Sequence, residues 1–335
     1  MNSNLFIVRS PLQLLNAIEA KNHFQTKNNI LVVLYNKNSN ANDPNNIQLT
    51  QLLDIDTWDT IYEHNKSDFK SASGLKSQVK IIKSLKKLKF DYLFSGDYGV
   101  IHQVFISTLD AKEIFLLDDG TLTLTMYKND LDPNYKGDSF GRRFKLFRYR
   151  FFGLKTRHTK PINFFTCFQL DPVNGKKIVS NNYSFLRKNY LPNVTRDDET
   201  IYFLGTPLVK GKFIDEAVYI RYLQKCIDTF EKPILYIPHR AEIMTDAFKA
   251  LEGEKFSIGK STGPIELRFL LEKRYPLHLY SFFSTALYTL NHIFPQSEIV
   301  SIKFKSEEIL KDEETILNKY HFFDTTSVSV ISLDI

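Results

Sequence analysis

Two apolar runs in this sequence end abruptly on ionisable side chains, about 120 residues apart. Ile114-Phe115-Leu116-Leu117 gives way to Asp118-Asp119-Gly120-Thr121, and Ile234-Leu235-Tyr236-Ile237 gives way to Pro238-His239-Arg240. Adjacent carboxylates in a partly desolvated crevice cannot both ionise freely, so one is expected to hold its proton to higher pH. Such a group can take a proton from an alcohol. Imidazolium can donate to a departing phosphate oxygen, and guanidinium can neutralise phosphate or carboxylate. Each motif also has a plainer reading, because Asp-Gly is a common turn signal and a His at a loop start can be hydrogen-bonded for structure. Two adjacent aspartates point in different directions and no third ligand is apparent, so no metal is expected. A third polar group, Ser281-Phe282-Phe283-Ser284-Thr285-Ala286-Leu287, puts hydroxyls at a strand-to-helix junction. Unpaired helix N–H groups and the helix dipole favour an anion there, and N-capping by Ser284 would use the same end. Glu266, just inside a helix begun by Pro264, could accept hydrogen bonds from ribose hydroxyls or simply complement the helix dipole.

The elements that must position these groups follow a strand–helix rhythm, the signature of a parallel sheet. In the first half, strand-like runs at Leu5–Val8, Ile30–Tyr35, Thr60–Tyr62, Phe90–Phe94 and Glu113–Leu117 alternate with helical stretches. The first helix is predicted from Pro11, with Ser10 as its N-cap. The fourth strand stops at Ser95-Gly96-Asp97, before a helix over Val100–Thr108. In the second half, strands are predicted at Thr200–Leu204, Pro233–Ile237, Phe256–Ile258, His278–Phe282 and Ile299–Ile302, with helices at Phe213–Phe230, Pro264–Glu272 and Ser284–Leu290. The polar run Asn193-Val194-Thr195-Arg196-Asp197-Asp198-Glu199 is the expected linker. In open α/β sheets the carboxyl ends of strands border the ligand crevice. The economical architecture is therefore α/β, with two Rossmann-like domains facing a central cleft, residues 1–195 and 196–335. Asp118 and Asp119 on one edge and His239 on another suggest a group-transfer enzyme.

The bulk numbers fit. With 335 residues the chain is long for one core, since single cores stop growing near ~250–300 residues. Hydrophobic residues make up 43% of the chain, yet no apolar run reaches the roughly 18–20 residues that a membrane span needs. The N-terminus reads as a first strand rather than a secretory signal. Cys167 and Cys226 lie in separate halves without metal-ligand or redox spacing, and a reducing cytoplasm is the natural setting. The net charge of +6 is unevenly spread. Residues 142–160 contain no acidic residue, and cations alternate there with Phe, Leu and Tyr. Three readings are open: a surface helix whose aromatics pack inward, peripheral contact with an anionic membrane, or a grip on nucleic acid.

The ordered set Arg9-Ser10-Pro11-Leu12-Gln13, Leu117-Asp118-Asp119-Gly120, Phe203-Leu204-Gly205-Thr206-Pro207-Leu208, Tyr236-Ile237-Pro238-His239-Arg240, Gly263-Pro264-Ile265-Glu266 and Tyr280–Leu287 resembles bacterial sialyltransferases. It is most similar to glycosyltransferase family 52, the lipooligosaccharide sialyltransferases, and their polysialyltransferase relatives. The motifs are short, and their order and spacing carry the resemblance from residue 5 to about residue 300. It implies a GT-B arrangement and an inverting transfer from a CMP-activated nonulosonic acid, with no metal and no cofactor beyond that co-substrate. One of Asp118 and Asp119 would be the base, and Asp119, beside flexible Gly120, is preferred. The family's His is usually followed by Pro, whereas the order here is Pro238-His239-Arg240, so His239 could act as acid or as phosphate ligand. Glu266 would meet the ribose or cytosine. Ser281, Ser284 and Thr285 would surround the CMP phosphate, with Arg240, Gly205 and Thr206 on the same donor side. The implied acceptor is a cell-surface glycan or glycolipid. The enzyme would sit in the cytoplasm, held at the inner membrane face by residues 142–160, and no nucleic-acid partner is expected. The same residues would handle CMP-activated pseudaminic, legionaminic or 3-deoxy-octulosonic acid. A non-catalytic protein binding membrane or nucleic acid through the basic stretch is the reading from another class, and it would leave Asp118, Asp119 and His239 without purpose.

Overall fold

The structure is a computed structural model that describes residues 2–35, 43–65, 72–120, 122–131, 140–173, 175–260 and 263–334. Thr121, at the end of the acidic motif, lies outside the described residues. The chain divides into two compact units, Met1–Phe185 and Leu186–Ile335.

In the first unit the order is β1 (Ser3–Val8), α1 (Pro11–His23), β2 (Asn29–Tyr35), α2 (Pro44–Leu53), β3 (Thr60–Asn65), α3 (Ala72–Leu85), β4 (Lys89–Ser95), α4 (Val100–Thr108) and β5 (Asp110–Leu117). Then come α5 (Leu122–Leu131), α6 (Phe140–Arg150), β6 (Asn163–Thr166) and β7 (Ile178–Ser180), while α7 (Ser184–Tyr190) spans the division. The seven strands form one parallel sheet in the order β3-β2-β1-β4-β5-β6-β7. Leu5, Phe6, Ile7 and Val8 of β1 are wholly buried. A parallel sheet covered on both faces demands such unbroken apolar runs, which is why these strands read so clearly. The first helix starts as expected: Ser10 Oγ accepts a hydrogen bond from Gln13 N, and Pro11 opens the first turn.

The second unit runs β8 (Thr195–Leu204), α8 (Glu216–Thr229), β9 (Ile234–Ile237), α9 (Asp246–Lys249), β10 (Phe256–Ile258), α10 (Ile265–Leu271), β11 (Arg274–Ser281), α11 (Ala286–Ile293), β12 (Glu298–Lys303), α12 (Glu313–Asp324) and β13 (Ser329–Ser332). Its six strands are again parallel, in the order β10-β9-β8-β11-β12-β13. In both sheets the first strand of the unit lies centrally, with the next strands added on one side and the chain then crossing to the other. This is the Rossmann topology, with its switch point between β1 and β4 and between β8 and β11.

Three expectations need correction. Most of the polar run expected to link the halves is strand: β8 begins at Thr195 and pairs with β11 from Arg274 onward. Its charges are matched across the sheet, Asp197 by Arg274 at 3.2 Å and Asp198 by Lys232 at 2.7 Å. Pro264 is the N-cap of α10 rather than its first helical residue. Helix α11 starts at Ala286, two residues after Ser284.

Candidate active site

The carboxyl ends of β1, β4 and β5 adjoin because β4 lies between the other two. They carry Arg9-Ser10, Gly96-Asp97 and Asp118-Asp119, and hydrogen bonds between distant segments hold this edge. Gln13 Oε1 accepts from Arg9 N at 2.9 Å, and the side chain lies over Gly96, where a Cβ would sit 2.4 Å from that oxygen. Arg9 pairs with Asp97 at 3.2 Å, while Asp97 Oδ1 accepts from the backbone of Tyr98 and Gly99 and so fixes the start of α4.

The two aspartates occupy different environments. Asp118 is buried, and its Oδ2 accepts from Cys167 N at 2.7 Å, tying β5 to the residue after β6. Burial pushes its carboxyl up to about 6, against the lowering effect of hydrogen bonds from Thr166, Cys167 and Thr123. Its carbonyl is held by Asn16 Nδ2 at 3.1 Å, and Asn16 in turn accepts from Asn181 and Tyr183. Asp119 is only half-buried. Burial raises its pKa and Asp97 adds to the rise, while Gln13, Arg9 and Ser10 pull it down. The Ser10 hydroxyl stands 3.5 Å from Asp119 Oδ1. Gly120 follows with φ of 62°, a conformation that favours glycine and lets the chain turn sharply off the strand. A carboxylate that is reachable and has raised proton affinity suits a general base. A buried one locked to a neighbouring strand suits an anchor.

In the second unit β8 lies between β9 and β11, so Gly205-Thr206, His239-Arg240 and Ser284-Thr285 leave adjoining strands on one edge. The His239 loop is set by Glu242. Glu242 Oε2 accepts from His239 N at 2.6 Å, and Oε1 accepts from Tyr236 Oη at 2.6 Å and Tyr219 Oη at 3.3 Å. Tyr219 also takes the Thr206 N–H at 3.4 Å, joining the β8 and β9 loops. Gly205 is required by space alone: a Cβ would sit 2.1 Å from Glu242 Oε2 and 2.5 Å from Tyr236 Oη. Burial pushes the Glu242 carboxyl up to about 7. His239 Nδ1 accepts from Ala241 N at 3.1 Å, which assigns the ring proton to Nε2. Burial, then Arg240 and Lys210, press its pKa down to about 4. With no anion bound, His239 is therefore held uncharged at neutral pH, with Nε2 as its hydrogen-bond donor.

The remaining donor-side candidates divide. Glu266 is buried in the first turn of α10; burial raises its pKa, and its own N–H and Arg240 lower it, which brings Glu266 and Arg240 into one electrostatic neighbourhood. Ser284 Oγ accepts from Ala286 N at 3.3 Å, so it caps α11 from one residue further back than expected. Thr285 is half-buried and makes no side-chain capping bond. Ser281 is different: its hydroxyl is fully buried and donates to Leu204 O at 2.6 Å, stitching β11 to β8. Arg9, Gln13 and Asp97 in the first unit and Glu242 in the second carry no assigned role from sequence. Asp97 had a signal, because Ser95-Gly96-Asp97 also ends an apolar strand. Glu242 had none, since its partners Tyr219 and Tyr236 come from distant segments.

Among the described residues, no group of three or more His, Cys, Asp or Glu side chains is placed to hold a metal ion, and no helix is long and apolar enough to cross a membrane. No protein-family model matches the sequence, and no curated protein matches it. Solved structures do match. The UDP-GlcNAc 2-epimerase from Methanocaldococcus jannaschii aligns with a TM-score of 0.53 at 12% identity, over 99% of this chain and 89% of that one. UGT89C1 of Arabidopsis thaliana, complexed with UDP-L-rhamnose, gives 0.53 at 8% identity over 99% and 85%. UGT2 of Phytolacca americana, complexed with UDP-2fluoro-glucose and pterostilbene, gives 0.50 at 10% identity over 98% and 85%. At these identities the likeness is one of fold, and the chain has the GT-B type architecture of two Rossmann-like domains.

Proposed function

We propose that this chain is an inverting glycosyltransferase that moves sialic acid, or a related nonulosonic acid, from its CMP-activated donor to a hydroxyl of a cell-surface glycan. The observation that carries this reading is the division of labour at the acidic motif: a buried Asp118 locked to Cys167 N beside a half-buried Asp119 of raised proton affinity. The order of the flanking motifs supports a CMP-linked acid as donor.

In the proposed reaction Asp119 takes the proton of the acceptor hydroxyl, with Arg9, Ser10 and Gln13 around it. The acceptor oxygen forms a bond to the anomeric carbon as the bond from that carbon to the phosphate oxygen breaks. CMP leaves with the electron pair, so negative charge grows on its phosphate. His239, neutral and donating through Nε2, meets that charge together with Arg240 and the N–H groups at the start of α11. Preorganised donors aimed where charge develops usually supply the largest share of catalysis. Glu266 receives the ribose. Phosphate is a good leaving group once hydrogen-bonded, so no protonated imidazole is needed. No step calls for a metal. A lipid-linked acceptor would bring the enzyme to the inner face of the cytoplasmic membrane.

The test is a panel of nucleotide sugars with CMP or UDP release as the readout. CMP-sialic acid and CMP-activated pseudaminic, legionaminic and 3-deoxy-octulosonic acids form one arm, and UDP-linked sugars, one of which the Arabidopsis structure holds, form the other. The expected result is CMP release from one of the acids, increased by a glycan acceptor, with UDP-sugars untouched. Turnover of UDP-sugars alone, or no binding of CMP, would overturn the assignment.

A further inference from the structure

Helix α6 turns its phenylalanines away from the protein. Phe140, Phe144 and Phe147, with Phe151 just past the helix end, are 86%, 62%, 47% and 76% exposed. Their spacing of four, three and four residues places all four rings on one stripe of a helical surface. The reading in which the aromatics of this stretch pack inward holds for Tyr149 and Phe152 but not for these four phenylalanines; Leu146 and Tyr149 are the helix residues that face the core.

The outward stripe is held in place rather than frayed. Tyr149 Oη donates to Gln78 Oε1 at 2.5 Å, and Arg142 reaches Tyr98 O at 2.6 Å and Gln103 Oε1 at 2.8 Å. Arg150 Nε donates to Thr156 Oγ1 at 2.9 Å. At 3.6 residues per turn Arg143 and Arg150 flank the rings on one side and Arg148 on the other, with exposed Lys145 further round the helix. Exposed Lys155 and Arg157 extend the basic surface, and residues 142–160 contain no carboxylate.

This combination selects among partners. A second copy meeting this face by a two-fold axis would set the same cations against each other, which is repulsive. The buried centre of a protein–protein interface is also depleted of charge. Proteins that stack bases on aromatic rings use a basic groove tracking the backbone, whereas this surface is a convex helix with contiguous rings. An anionic bilayer fits both features, because a rigid apolar stripe can enter the acyl boundary while flanking cations stay among phosphate headgroups. We propose that α6 with Phe151 is a peripheral membrane anchor, in which the four rings insert and Arg143, Lys145, Arg148 and Arg150 bind anionic phospholipid. The anchor stands apart from the transferase reading, because vesicle binding needs neither donor nor acceptor.

The test is sedimentation of the full chain with vesicles of phosphatidylcholine alone and with about one-third phosphatidylglycerol. The expected result is binding to the anionic vesicles only, weakened by salt at ~0.5 M. Arg143→Ala with Lys145→Ala should lower the partition coefficient about 25-fold, from roughly fivefold per cation at an anionic surface. Phe144→Ser with Phe147→Ser should lower it about 100-fold, at roughly tenfold per ring removed from the apolar phase. These side chains are exposed, so the thermal melt should be unchanged and serves as the check on folding. Equal binding to neutral vesicles, or no loss in the Phe double variant, would overturn the proposal. So would self-association that the Phe variant abolishes without vesicle binding by the wild type, or single-stranded RNA binding that anionic vesicles do not displace.

Discussion

Replacing Asp118 by Asn separates the structural carboxylate from the catalytic one and has a definite signature against pH. In the folded chain burial raises the Asp118 carboxyl from 3.8 to about 6. The folded state therefore holds a proton that the unfolded chain has already lost, and the contribution to stability is fully present below pH 3.8 and lost as pH rises through about 6. At 1.36 kcal/mol per tenfold change, a rise of that size corresponds to about 3 kcal/mol lost by the wild type between about pH 4 and pH 8. An Asn side chain keeps an acceptor for Cys167 N and carries no charge, so its stability should lack this slope. Its amide N–H group needs an acceptor, and the Thr123 and Thr166 hydroxyls beside the carboxyl can turn to serve. The chain has one tryptophan, Trp58, packed edge-on against Phe6 in the first unit, so its fluorescence reports on this unit. Urea titrations of wild type and Asp118→Asn at several pH values give the difference directly. Asp119 has the same direction of shift, but it is common to both proteins and cancels in that difference. The variant should gain up to about 3 kcal/mol relative to wild type as pH rises from about 4 to 8. A difference that stays flat, or grows as pH falls, would show that Asp118 is not held protonated by its burial.

Gly205→Ala should destabilise the second unit by about 1–3 kcal/mol through overpacking against Glu242 and Tyr236, and weaken CMP binding, while the Trp58 transition is unchanged. Both units contain tyrosines, so the part of the tyrosine near-ultraviolet circular dichroism transition that does not follow Trp58 fluorescence reports the second unit, and unaltered stability there would count against the tight network. Glu242→Gln should remove a loss of second-unit stability that sets in as pH rises from 4.5 through about 7, because burial raises this carboxyl and its proton is held longer in the folded state. The loss is up to about 3 kcal/mol in the wild type, and identical pH profiles for the two proteins would exclude Glu242 as its source.

How much was legible in the sequence followed from the physics of each element. The strand ends that carry Asp118, Asp119 and His239 stood out because parallel strands buried on both faces are unbroken apolar runs with abrupt polar ends. The start of α1 was equally plain, because Ser10 and Pro11 act locally on the first turn. The run around Asp197, Asp198 and Glu199 misread as a linker because its charges are matched by Arg274, Lys232 and His278, which only the folded sheet brings near. Periodicity showed that α6 has an aromatic stripe, but not that Leu146 and Tyr149 would win the core-facing side. The state of His239 depended on Ala241 N and on burial, and the Glu242 network on Tyr219 and Tyr236, none of which a linear motif encodes.

The role of Asp119 as base is tested most directly by single-turnover transfer from a CMP-activated acid by Asp119→Asn, paired with calorimetric titration of CMP. The transfer rate should fall by about 10²–10⁴ with CMP affinity unchanged, because the carboxylate meets the acceptor and not the nucleotide. A wild-type rate in Asp119→Asn, or a loss of CMP binding that accounts for the whole defect, would contradict the assignment of Asp119 as the base.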